Sequence, residues 1–158
     1  NSKGWGDKWK WCFMVDSDTI KFIEVDETSK QFLDFLKLEL KSNDDFTYFS
    51  NRTIDCLDNH LITILLLYKG DVAGYGHIDK ENEYWLGVYV SMNYRSISLG
   101  KKIIFELLAR SQKLGLSDIV LSVFKTNIIA KSIYLNFGFE VYDENEKSFF
   151  MRIILWDI

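Results

Sequence analysis

An apolar run at 118–124 followed by Asn127-Ile128-Ile129-Ala130-Lys131-Ser132-Ile133-Tyr134-Leu135-Asn136-Phe137-Gly138-Phe139 constrains this chain more than any other stretch. The run reads as a buried strand. Asn127 then stands where an N-cap opens a helix. Ala130, Ile133 and Phe137 fall on one helical face, and Gly138 stops the helix before Phe139 starts another strand.

With 158 residues the chain is long enough for one domain with a proper core, and we expect a single domain over 1–158. Hydrophobic residues at 47% and aromatics at 16% rule out disorder as the main state. A formal charge of -4 and a pI of about 5.2 argue against a general nucleic-acid binder, which needs a basic face. The longest apolar run, 61–68, is too short to span a bilayer. Cys12 and Cys56 read as reduced thiols, there being no secretory signal. The chain begins with Asn rather than Met, which leaves upstream targeting open. A soluble cytoplasmic protein is the expectation.

Along the chain, 9–15 and 19–25 read as strands flanking a turn at Asp16-Ser17-Asp18. Phe32, Leu33, Leu36 and Leu40 mark an amphipathic helix over 29–41, with Asp26, Glu27 and Thr28 at its positive end. The segment 44–58 suggests a short helix plus loop. Strands follow at 61–68, 72–78 and 83–91, joined by turns at 69–71 and 79–82. A helix over 98–114 leads to the strand at 118–124 and the helix at 127–137. A hairpin of 139–142 and 149–156 closes the chain around Glu144-Asn145-Glu146. A helix between 83–91 and 118–124 makes those two strands parallel in an otherwise antiparallel sheet.

The loop Tyr94-Arg95-Ser96-Ile97-Ser98-Leu99-Gly100-Lys101-Lys102 lies between a strand and a helix, where unpaired backbone N–H groups and the helix dipole favour an anion. This loop resembles the pyrophosphate loop [Q/R]-x-x-G-x-[G/A] of the GNAT superfamily of acyl-CoA-dependent N-acetyltransferases. The spacing N-x-x-A-x-x-x-Y-x-x-x-G-F from Asn127 resembles that family's second cofactor-binding motif. Arg95 and Gly100 match the loop pattern, whereas Ser98 stands where the family usually has Gly. A Cβ there would crowd a phosphate or oppose a positive φ, although its hydroxyl can donate a hydrogen bond. The resemblance runs from about residue 19 to the C-terminus and leaves 1–15 as an extra N-terminal strand outside the family core. It implies an α+β fold of three α/β/α layers around a mixed, mostly antiparallel sheet of about seven strands.

The resemblance also implies direct transfer of an acetyl group from acetyl-CoA to an amine, with no metal. Arg95, Ser96, Ser98, Leu99, Gly100 and Lys101 would take the pyrophosphate. Lys131 is favoured over Lys102 and Lys125 as a further phosphate contact, although each lysine taken singly reads as a solvated one. The strand 83–91 resembles the one that receives the pantetheine arm, with Val88, Tyr89 and Val90 as contacts and the Val90 N–H on the thioester carbonyl. Asn127 would bond the pantetheine amides; as a plain N-cap it needs no such role, and both can hold. Tyr134 would protonate the leaving thiolate, against the plainer reading of a half-buried helix tyrosine bonded elsewhere.

An alkyl ammonium has a pKa near ~10, so a base is useful. Candidates are His77 and Asp79 at the end of one strand and Glu83 on the next, with Glu83 and His77 ranked equally. His77 titrates in the right range and shares a sheet face with Tyr75, although a lone strand histidine is more often structural. Some family members use only water. No metal site, catalytic cysteine or P-loop is legible.

Acceptor selectivity is expected from 29–60 and the final hairpin. Phe46, Tyr48, Phe49, Asn51, Arg52 and Asp55 suit a small polar amine, or serve simply as core. A protein or peptide N-terminus is the second reading within the enzyme class. A non-catalytic acyl-CoA-binding module is the rival class, kept open by Ser98. Trp5, Trp9, Trp11 and Phe13 would mark a homodimer or partner surface, or an edge strand covering the sheet.

Overall fold

The computed structural model describes residues 19–157 except 27 and 45. The expected strand at 9–15, its turn, Cys12 and the Trp-rich segment lie outside the described residues. Among the described residues seven strands form one sheet: β1 (Ile20–Glu24), β2 (His60–Tyr68), β3 (Asp71–Lys80), β4 (Tyr84–Val90), β5 (Asp118–Phe124), β6 (Glu140–Glu144) and β7 (Ser148–Ile154). Their spatial order is β1-β2-β3-β4-β5-β7-β6, antiparallel throughout except for the β4–β5 pair. The expected mixed α+β sheet is therefore the observed one. No helix among the described residues is long and apolar enough to cross a membrane.

Two helices cover one face of the sheet. Helix α2 (Leu99–Lys113) sets Ile103, Ile104, Leu107 and Leu108 against Ile64, Leu66, Ile78 and Leu121. Helix α3 (Ile128–Phe137) adds Ala130, Ile133 and Phe137 to the same core. Gly74 and Gly76 on β3 let α2 approach, since a Cβ on either would stand 2.6 Å from Ile103. The opposite face carries helix α1 (Lys30–Leu38), whose Phe32, Phe35 and Leu36 pack with Phe49, Leu65, Tyr75 and Tyr89. These are the three layers expected from the sequence.

Several boundaries move. Helix α1 ends at Leu38 rather than 41, because a 3₁₀ turn at Leu40–Ser42 swings Leu40 into the core and leaves Leu38 78% exposed. Strand β3 runs on to Lys80, through Asp79, where a turn was expected. The loop before α2 contains a 3₁₀ turn, Met92–Ile97, and another follows β7 at Leu155–Asp157. In 44–58 the helical part is a 3₁₀ turn at Ile54–Asn59.

Candidate active site

The parallel pair β4–β5 touches through a single bridge, Trp85 with Val120, and opens beyond it. The Ser91 N–H donates to the Ala73 carbonyl at 2.8 Å, so by antiparallel alternation Tyr89 and Gly87 also bond toward β3. The amide groups of Val88 and Val90 then face the wedge left by β5. Arg95 Nε donates to the Val90 carbonyl at 3.0 Å, and its guanidinium lies 5.7 Å from the Tyr89 ring. That leaves the Val90 N–H and both amide groups of Val88 directed into the opening.

The opening is a cleft of about 1220 Å³ that passes between the strands from one sheet face to the other. On the α2–α3 side its walls include Ser98, Gly100, Lys101, Asn127, Ala130 and Tyr134. Ser98 caps α2 in the left-handed conformation, φ 61° and ψ 26°. A glycine would adopt this backbone without strain, whereas a serine tolerates it at a cost of about 1 kcal/mol. The loop thus takes the shape a glycine would give it, and the strain is the consequence of Ser98. At Gly100 a Cβ would meet only the Val90 side chain, at 3.5 Å, so the space above the helix start is open. Backbone N–H groups at this fifteen-residue helix start, with that space before them, suit a pyrophosphate.

Asn127 caps α3 by accepting from the Ala130 N–H at 3.2 Å, which leaves its side-chain amide as a donor toward the cleft. Tyr134 packs edge-on to Phe139, with ring centroids 5.8 Å apart. Burial pushes its hydroxyl up to about 12, so the phenol keeps its proton across the neutral range. No described residue hydrogen-bonds that hydroxyl.

On the α1 side the cleft wall holds Phe46, Tyr48, Arg52, His77, Asp79 and Trp85. Their polar groups form a chain. The Tyr48 hydroxyl donates to Asp79 Oδ2 at 2.8 Å and lies 2.6 Å from His60 Nε2. A phenol has one proton, so His60 Nε2–H must donate to Tyr48, and His60 Nδ1 must accept from the Thr63 hydroxyl at 2.9 Å. His77 packs against both at a tilt, 4.3 Å from Tyr48 and 4.5 Å from His60 by ring centroids, with Nδ1 bonded to the Tyr75 hydroxyl at 2.7 Å. Its ring lies over Gly87, where a Cβ would fall 2.4 Å from Nε2. Arg52 stacks on the outer side of Tyr48 at 4.1 Å.

Both imidazoles are held neutral. Burial pushes His60 down to about 4, with Asp79 opposing and Arg52 assisting. Burial, followed by His60 and Arg52, holds His77 well below the usual range. Each therefore binds its proton more readily in the unfolded chain. Stability from these two groups is fully present above about pH 6.5 and is lost as the pH falls toward 4. We expect the melting temperature to fall steadily between pH 6.5 and 4, with a shallower slope in His60→Gln, checked by calorimetry across that window.

Among the residues expected at the site, Tyr134, His77, Val88, Tyr89, Val90, Arg95, Ser98, Gly100, Lys101 and Asn127 line this one cleft. Leu99, Lys131, Glu83 and Lys125 stand apart from its walls. Leu99 is fully buried under the loop. Lys131 sets its ammonium 4.0 Å over the Phe149 ring. Glu83 is ion-paired with Arg152 at 2.6 Å. Ser96 lies in the 3₁₀ turn before Ser98. Lys125 pairs with Glu144 at 2.6 Å. The constellation that sequence reasoning did not assemble is Tyr48–Asp79–His60. Its one legible signal was the two-residue alternation that puts Tyr75, His77 and Asp79 on one face of β3.

The profile of the Acetyltransferase (GNAT) family matches residues 22–139. No curated protein matches the sequence. Among solved structures, an acetyltransferase of the GNAT family from Streptococcus pneumoniae is 18% identical, with a TM-score of 0.71 over 85% of this chain and 98% of its own. The Salmonella typhimurium protein yncA, solved with its cofactor acetyl-CoA, is 13% identical, with a TM-score of 0.67 over 86% and 94%. The ribosomal-protein-S18-alanine N-acetyltransferase from Escherichia coli is 18% identical, with a TM-score of 0.68 over 86% and 94%.

Proposed function

The chain belongs to the Acetyltransferase (GNAT) family, and from that premise we propose that it moves an acetyl group from acetyl-CoA directly to the primary amine of a small molecule. The observation that carries this reading is the wedge between β4 and β5, into which Val88 and Val90 turn their amide groups beside the open start of α2. An extended pantetheine arm would add to β4 as a strand adds to a sheet edge, with the Val90 N–H available to the thioester carbonyl. Ser98, Gly100 and Lys101 would hold the pyrophosphate, with Arg95 fixing the end of β4. Tyr134, protonated and without a hydrogen-bond partner among the described residues, would donate to the departing sulfur. Of the three candidate bases, His77 and Asp79 line the cleft and Glu83 does not.

Aromatic rings, the carboxylates of Asp79 and Glu81, and Arg52, which lies 3.9 Å from Glu81, suit a small polar amine at the acceptor end. A cytoplasmic location accords with acetyl-CoA as cosubstrate. Calorimetric titration with acetyl-CoA is the test, beside a Gly100→Trp variant whose indole would fill the open space over α2. We expect micromolar binding that the variant loses, then thiol release with at least one of putrescine, glucosamine or glycine methyl ester and none with a tetrapeptide. Thiol release with the tetrapeptide alone would make this a peptide N-terminal enzyme. No acetyl-CoA binding by the wild type would mean that Ser98 has disabled the loop.

A further inference from the structure

We infer that Asp79 is the catalytic residue that receives the acceptor's ammonium and takes its proton, with Tyr48 and His60 as positioning residues; this rests on the acetyl-transfer reading above. Asp79 is 3% exposed and forms part of the cleft wall. Its Oδ2 is bonded to Tyr48, whereas Oδ1 is buried with no hydrogen-bond partner among the described residues. Leaving a carboxylate oxygen buried and unpaired costs roughly 1–3 kcal/mol or more, and such an orphan in a cleft wall calls for an incoming donor. A primary ammonium supplies three.

The surroundings fit that occupant. Phe46, Tyr48, His77 and Trp85 form the wall beside the carboxylate, and electron-rich ring faces attract an alkyl ammonium. Both histidines of the cluster are neutral and so do not repel it. The hydrogen-bond chain has one direction, Thr63 to His60 to Tyr48 to Asp79, so every proton in it points toward the carboxylate. Tyr48 thereby occupies Oδ2 and leaves Oδ1 as the acceptor. His77 fits the role less well because its Nδ1 is taken by Tyr75 and burial disfavours its charged form. Glu83 is committed to Arg152.

The step balances. Asp79 Oδ1 takes one ammonium proton, and the freed nitrogen lone pair forms the C–N bond to the thioester carbonyl carbon. The C–S bond breaks with its electron pair on sulfur, and the second nitrogen proton is matched by the one that makes the thiol. An ammonium, a thioester and a carboxylate become an amide, a thiol and a carboxylic acid, which then loses its proton to solvent.

The test uses the full chain with acetyl-CoA and the fastest of the three small amines, reading thiol release. Asp79→Asn should bind acetyl-CoA with wild-type affinity and lose about 10²–10³-fold in kcat/KM for the amine, the range of a lost proton acceptor. Asp79→Glu should regain at least about tenfold of that loss, and Tyr48→Phe should lower kcat about tenfold with the KM for acetyl-CoA unchanged. Asp79→Asn within about threefold of wild type would overturn the inference while the acetyl-transfer reading stood. No thiol release by the wild type with any amine would instead overturn that reading. In that case, or if Asp79→Asn loses acetyl-CoA binding through misfolding, carbon-13 NMR of the wild-type Asp79 carboxyl decides. A saturable shift on titration with n-propylammonium supports the site, and an unmoved resonance overturns it.

Discussion

Replacing Tyr134 with phenylalanine should lower kcat by about 10²-fold, the contribution of a well-placed general acid, and leave both folding and acetyl-CoA binding unchanged. Two observations make this separation sharp. The ring packs edge-on to Phe139 and belongs to the core beside Ala130 and Ile133, contacts a phenylalanine keeps. The hydroxyl has no hydrogen-bond partner among the described residues, so its loss orphans no buried group. A tyrosine held there for packing alone would give a variant within about threefold of wild type. Burial sets the phenol at about 12, so the loss should be the same at pH 7 and pH 9, where the wild type stays fully protonated. Steady-state thiol release at both pH values, with a thermal melt of each protein, checks all three statements.

The sheet and the α2–α3 side of the cleft were legible because local chemistry dictates them. The apolar run 118–124 became β5 over those residues, Asn127 caps α3 through its side chain, and Gly138 ends that helix at φ 107°. Each of these signals needs only a few neighbouring residues. The α1 side of the cleft was not legible, because its geometry comes from contacts distant in sequence. Strand β3 continues through Asp79 where local turn chemistry argued for an end, and Tyr48, thirty-one positions earlier, bonds one oxygen of that carboxylate. Segment 44–58 has no period of its own. Phe49 is buried because Phe32 and Tyr75 meet it across the α1 side of the sheet. Ser98 was legible as a departure from the family pattern. Sequence alone did not decide whether the backbone would give way, and it did not: the residue is left-handed, as a glycine would be.

Substituting alanine for Gly76 should destabilise the protein by about 3 kcal/mol, the upper part of the range for overpacking a well-filled core. A Cβ there would stand 2.6 Å from Ile103 Cγ2 and 2.9 Å from Leu107 Cδ1. Ile103 is branched at Cβ and stiff at χ1, and both side chains are fully buried, so neither has room to rotate away. The strain is relieved only by moving α2 off β3. For a chain of 158 residues such a loss lowers the melting temperature by about 6–12 °C. Because the start of α2 carries Ser98 and Gly100, retreat of the helix also carries the loop proposed to hold the pyrophosphate away from Val90. Acetyl-CoA affinity should therefore fall together with stability, although Gly76 itself does not line the cleft. Calorimetric binding at 10 °C, where the variant is still folded, distinguishes this from simple unfolding. Wild-type affinity there would show that the helix yields elsewhere along its length and that the loop is held by Arg95 and β4 alone.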